Sequence, residues 1–323
     1  MRLCRFFHHG ANQLGLYDER GIVALPAGAA AYTRATGRPL ELVESDDLLD
    51  FLPPDGQAHA ACRRLAEWVA VHRDEIRSVA LDPATVELLV PIPRPNKLLL
   101  LAGNYAEHVV ERGGVAAERA ETFPYVFMKP PSTTLTNPGV PIRLPAVSPT
   151  AIDWELELGV VIGRRAKSIS EREALAVVAG YTVINDISNR RYRPNPERKP
   201  RERDKFFDWL HGKWHDGFCP CGPALVSADA VPDPQALTMS LHVNDRQHQN
   251  GSTASMVFPV AAIIAFISQM MTLEPGDIIS TGTPAGVGSA TNTFLMPGDR
   301  IEARIEGIGT LVTPVVAESV VAE

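Results

Sequence analysis

Apolar and polar residues alternate with a period of two over many short runs of this chain, and only a few stretches carry the wider spacing of a helix. Residues 2–7, 12–17 and 21–25 are strand candidates, with Gly10 and the Asp18-Glu19 pair marking the turns. Residues 56–78 have helical spacing: Leu65, Trp68, Val69 and Val71 make an apolar stripe, and Arg63, Arg64, Arg73 and Asp74 lie outside it. Residues 90–96, VPIPRPN, are too rich in proline for a helix and must be extended. They mark the boundary between a small N-terminal α+β domain, residues 1–90, and a larger domain, residues 91–323.

From residue 97 onward the pattern is mainly that of strands. Residues 97–102, 125–129, 155–162 and 181–187 are strand candidates, the last two rich in β-branched side chains. Residues 104–113, 171–178 and 260–270 read as helices. A hairpin is expected around Asn244-Asp245, between residues 237–243 and the run from Gln247. Residues 277–281 and 299–305 each follow a Pro-Gly pair, and residues 311–316 are expected to close the sheet. Many short strands, few helices and long loops predict a β-rich α+β fold.

Composition narrows the function classes. The chain has 323 residues, 45% hydrophobic and 21% charged, and its 27 Pro and 24 Gly agree with a turn-rich architecture. A net charge of −7 argues against nucleic-acid binding, where a basic stripe is expected. The N-terminal MRLCRFFHHG lacks the apolar core of a secretory signal, and the apolar run 257–271 is broken by Pro259, Ser268 and Gln269. No membrane association is expected. Cys4, Cys62, Cys219 and Cys221 are too scattered for a disulfide scaffold and read as buried thiols, which fits a cytoplasmic protein.

Candidate chemistry centres on residues 153–159, DWELELG. In a strand, side chains two apart share a face, so Glu155 and Glu157 point together while Leu156 and Leu158 point away. Such a pair also occurs on exposed strand faces, but this run continues into Val160, Val161 and Ile162 and reads as central. Adjacent carboxylates in an apolar strand resist burial, and a divalent cation removes the conflict. Asp186, ending the apolar run YTVIND, is a plausible third ligand; three carboxylates suit Mg²⁺, with Mn²⁺ or Ca²⁺ also possible. His108 and Glu111 are neighbours on one helical face, an arrangement that raises imidazole basicity and suits a general base.

The ordered set DWELELGVVIG, NDIS followed by Arg190, the GK at Lys213, CGP, TGTPAGVG and PGD resembles the fumarylacetoacetate hydrolase family over about residues 93–316. The resemblance implies a mixed β-roll, a homodimer, and Mg²⁺ held by Glu155, Glu157 and Asp186. It places Lys213 facing the metal carboxylates, makes the His108–Glu111 segment a lid over substrate, and gives Thr283 a part in binding the substrate's carboxylate end. Lys129, in FMKPPS, is a further candidate near the site, and Gln249 and Thr253 match family positions.

After NDIS the family usually runs Ala-Arg-Asp with a Gln two positions on, whereas this chain reads Asn189-Arg190-Arg191-Tyr192-Arg193. Arg190 keeps the substrate-facing arginine. Arg193 replaces the amide, so Arg190 and Arg193 together suggest a substrate with a second carboxylate. The implied activity is hydrolysis of a carbon–carbon bond in a β-diketo acid, an acylpyruvate or fumarylpyruvate-like compound from aromatic or sugar-acid catabolism. The alternative is a hydratase, isomerase or decarboxylase of a related 2-oxo acid such as 2-oxohept-3-ene-1,7-dioate.

Overall fold

The computed structural model describes residues 1–111, 113–115 and 118–318. Three strands with every residue buried form its centre: Leu156–Ile162, Val178–Asn185 and Cys219–Ser227. Runs such as LELGVVI and VAGYTVIN can be buried on both faces only inside a sheet covered on both sides. The first two pair antiparallel, with Leu156 opposite Asn185 and Val160 opposite Tyr181. Leu156–Ile162 then meets Ile278–Ser280, which runs parallel to Leu98–Ala102, and Tyr125–Met128 lies at the far edge.

On the other side the N-terminal meander of Arg2–His8, Ala11–Asp18 and Gly21–Ala24 joins the same twelve-stranded sheet. The junction is the pairing of Arg2 with Val226 and of Leu3 with Leu225. The helical spacing over residues 56–78 corresponds to the helix His59–Val71 and a short turn, Arg73–Ile76. A helix at Leu25–Thr36 was not evident from the pattern, because its alanine-rich sequence offers little apolar contrast. Pro26 in its first turn and Gly37 at its end, with φ of 68°, nonetheless delimit it as helix termini commonly are delimited.

The segment expected to close the sheet, 311–316, instead lies in a second sheet of five strands. Gly309–Ala317 pairs with Arg300–Ile305, which pairs with Thr238–Val243, and the hairpin to Arg246–Ser252 turns at Asn244 in the left-handed region. The inner faces of the two sheets and the helix Val260–Met270 share one core, in which Trp154, Leu156, Leu241, Ile263, Ile267, Ile301 and Leu311 are buried. Burying each large aliphatic side chain there contributes roughly 1.5–3 kcal/mol. This mixed, β-rich architecture agrees with the expected fold class. Among the described residues no helix is long and apolar enough to cross a membrane.

Candidate active site

The pairing of Leu156 with Asn185 brings the start of one central strand beside the end of the next. The backbone N–H of Asp186 donates to the carbonyl of Glu155 at 2.8 Å, so these acids are neighbours as a consequence of sheet register. Glu155, Glu157 and Asp186 are all buried, and one oxygen from each lies within 4.8 Å of the others.

Their surroundings are unequal. Glu155 receives Lys213 Nζ at 2.6 Å and the Nη2 of Arg190. Asp186 receives Lys213 Nζ and, at 2.5 Å, Lys129 Nζ; Lys129 also donates to the carbonyls of Ile187 and Phe218. Among the described residues Glu157 has neutral partners only: Ser280 Oγ at 2.6 Å and Gly282 N at 2.8 Å, both on Oε2. Its Oε1 is buried with no hydrogen-bond partner among the described residues.

The electrostatics follow. Burial pushes the Glu155 carboxyl up, but Arg190 and then Lys213 outweigh it and hold the group well below the usual carboxylate range. Burial would lower the Lys213 ammonium, yet Asp186 and Glu155 raise it, so it stays charged. Glu157 is pushed up to about 8, first by burial and then by the charges of Asp186 and Glu155. An orphaned carboxylate oxygen in a set of three converging hard donors is what a divalent cation satisfies, and these residues fit such an ion.

Above the carboxylates is a cavity of about 270 Å³ lined by Glu155, Glu157, Lys213, Arg190, Thr283 and His108, with Leu101, Val109, Phe127 and Trp209 as apolar wall. His108 and Glu111 lie on the short helix Ala106–Glu111, with His108 Nδ1 2.7 Å from Glu111 Oε1. The other oxygen of Glu111 accepts from Gly286 N at 2.8 Å, which ties the helix to the 281–286 loop. Gly286 has φ of 101°, and a Cβ there would sit 2.0 Å from the carbonyl of His248, so only glycine permits this approach.

The remaining candidates are disposed differently. Thr283 faces the cavity and is held from behind by Gln249 Nε2 at 2.8 Å. Gln249 also accepts from Leu156 N at 2.9 Å and donates to Pro284 O, so its amide is fully engaged away from the lining. Thr253 Oγ1 accepts from Leu237 N and shapes the adjacent turn. Lys129 lies beneath Asp186, buried and outside the lining. Arg193 is exposed and is also outside the lining.

Three participants were not singled out from the sequence. Asp153 is fully buried, accepts Arg190 Nε at 2.7 Å and receives the amides of Trp154, Gly288 and Ser289. It stands two residues before Glu155, so the alternation that identified the glutamates extends to it. Phe127 and Trp209 pack edge to face at 4.9 Å, with Lys213 Nζ 5.4 Å and 6.0 Å from their ring centroids. Trp209 belongs to the helix Asp204–His211, whose apolar residues Phe206, Phe207 and Trp209 follow the charged run 197–205.

Comparison with known proteins agrees with this architecture. The family model described as fumarylacetoacetate hydrolase C-terminal matches residues 97–316. A mitochondrial oxaloacetate tautomerase of Xenopus laevis is 39% identical over 285 residues, 86% of this chain and 85% of its own length. The maleylpyruvate hydrolase of Sphingobium sp. SYK-6, solved with manganese(II) and pyruvate, is 30% identical with a TM-score of 0.68 and covers 99% of this chain and 100% of its own. The 2-hydroxyhepta-2,4-diene-1,7-dioate isomerase of Mycobacterium marinum is 31% identical with the same TM-score of 0.68, over 99% of both chains. The chain belongs to the fumarylacetoacetate hydrolase family.

Proposed function

We propose that this protein is a Mg²⁺-dependent hydrolase that cleaves a carbon–carbon bond of an acylpyruvate-type β-diketo acid. In this reading residues 91–323 form the catalytic unit and residues 1–90 an appended small domain. The observation that carries it is His108, held by Glu111 and lining the same cavity as Glu155 and Glu157.

With Nδ1–H held by Glu111, the imidazole presents Nε2 as its basic nitrogen. A divalent cation held by Glu155, Glu157 and Asp186 would supply a Lewis acid for the carboxylate and 2-keto oxygens of the substrate. Gln249 donates to Thr283 Oγ1, which leaves the threonine O–H directed to a substrate oxygen. His108 Nε2 takes a proton from water as the water oxygen bonds to the distal carbonyl carbon. The carbon–carbon bond then breaks: the acyl part leaves as a carboxylic acid, and the electron pair passes to the 2-oxo fragment as an enolate. The Lys213 ammonium, kept charged by its carboxylate neighbours, stabilises that enolate oxygen. Return of the proton from His108 to the enolate carbon completes a 2-oxo acid such as pyruvate.

The same reading takes the protein as a cytoplasmic homodimer in aromatic or sugar-acid breakdown, supported by the family resemblance and by four buried, unpaired thiols. A second reading, an isomerase or tautomerase in which His108 moves a proton without water, is favoured by the tautomerase relative. An ultraviolet assay of acylpyruvates with Mg²⁺, comparing wild type with His108→Ala, separates the two. Loss of diketone absorbance, slowed about 10²–10⁴-fold in the variant, supports hydrolysis. Intact diketone alongside turnover of an enol or unsaturated keto acid moves the assignment to proton transfer.

A further inference from the structure

Given a site for 2-oxo acids as proposed above, we infer that its substrate carries one carboxylate and ends in an uncharged, apolar or aromatic acyl group. The lining is divided by chemistry. Glu155, Glu157, Lys213, Arg190 and Thr283 gather where the 2-oxo acid end belongs, and the remaining wall includes Leu101, Val109, Phe127 and Trp209.

The described cations of the lining are already matched. Arg190 is held by Asp153 and Glu155, and Lys213 by Glu155 and Asp186. Each is thus already neutralised by neighbouring carboxylates, so no described cation of the lining carries an unmatched charge for a second substrate carboxylate. Among the described residues that carboxylate would lose its water against hydrocarbon with no unmatched cation beside it, whereas an alkyl or aryl group is favoured there. Phe127 and Trp209 add a rigid face beside Lys213, suited to flat groups. Arg193 stands exposed and away from this wall, so it does not supply the missing cation.

Two 2-oxo acids of equal length test this apart from catalysis: 2-oxohexanoate, ending in a methyl group, and 2-oxohexanedioate, ending in a carboxylate. Each is titrated calorimetrically into the Mn²⁺-loaded full chain. Tighter binding of 2-oxohexanoate by about tenfold or more is expected, with the preference reduced in Trp209→Gln, whose wall is polar. Equal or tighter binding of the dicarboxylate overturns the inference. Arg112→Ala, at a position outside the described residues, and Arg193→Gln then identify the cation responsible. Binding of neither acid removes the 2-oxo-acid reading itself, and this inference with it. Discrimination without diketone cleavage keeps the inference and discards only the hydrolase assignment.

Discussion

Replacing Glu157 with glutamine should stabilise the metal-free protein while destroying its cation site. The carboxyl sits where burial, Asp186 and Glu155 lift its pKa from an ordinary 4.5 to about 8. At 1.36 kcal/mol per tenfold change, full ionisation there costs at most about 5 kcal/mol. Because the folded value is raised, the fold favours the protonated acid. No penalty is felt below pH 4.5; it grows as pH rises and is complete above about 8. Glutamine carries no charge, keeps an acceptor for Ser280 Oγ and Gly282 N, and can aim its amide at the neighbouring carboxylates. Urea denaturation in chelator at pH 6 and at pH 8.5 should show the variant's advantage widening by about 3 kcal/mol. Adding Mn²⁺ at a hundred times its dissociation constant should stabilise wild type by about 2.7 kcal/mol and leave Glu157→Gln almost unmoved. A variant no more stable than wild type in chelator at pH 8.5 would refute the claim that the triad is frustrated without its ion. Equal stabilisation of both proteins by Mn²⁺ would refute the assignment of Glu157 as a ligand.

Three further expectations follow from the same geometry. Asp153→Asn removes one side of a buried ion pair with Arg190, so it should destabilise by about 3 kcal/mol in denaturation; a loss below 0.5 kcal/mol would show that Glu155 holds the guanidinium alone. Arg193→Gln, at an exposed position outside the lining, should change kcat/KM for mono- and dicarboxylic substrates equally. A selective loss on the dicarboxylate would restore Arg193 to the substrate contact that the motif suggested. All four cysteines are buried, and burial pushes the Cys62 and Cys221 thiols up to about 12, so a thiol reagent at pH 8 should label native protein slowly and all four after unfolding.

The strands were largely legible because their signal is local. Alternation and β-branched content placed Arg2–His8, Leu156–Ile162, Val178–Asn185 and Thr238–Val243 to within a few residues, and Val260–Met270 was bounded to the residue. The partition of strands between sheets was not legible. Gly309–Ala317 has the alternating burial of a strand with one face in the core, and that pattern does not say which neighbour it joins. Its place follows from pairing with Arg300–Ile305 and, in parallel, with Ile142–Leu144, contacts that span long loops. Alanine-rich Leu25–Thr36 escaped for the opposite reason, since its sequence carries too little contrast to declare a face.

The site divides along the same line. Glu155 and Glu157 announce themselves because two acids in an apolar strand demand an explanation, and His108 and Glu111 because helical spacing makes them neighbours. The cations that make the acids tolerable come from elsewhere in the chain. Lys129 lies 57 residues from Asp186, Lys213 lies 58 from Glu155, and Arg190 lies 37 from Asp153. No local pattern distinguishes such a lysine from a solvated one. On the inference drawn above, their pairing with Glu155 and Asp186 is also what disfavours a second substrate carboxylate. Glu157, alone among the three without a cationic partner among the described residues, is left as the acid whose charge an incoming metal would answer.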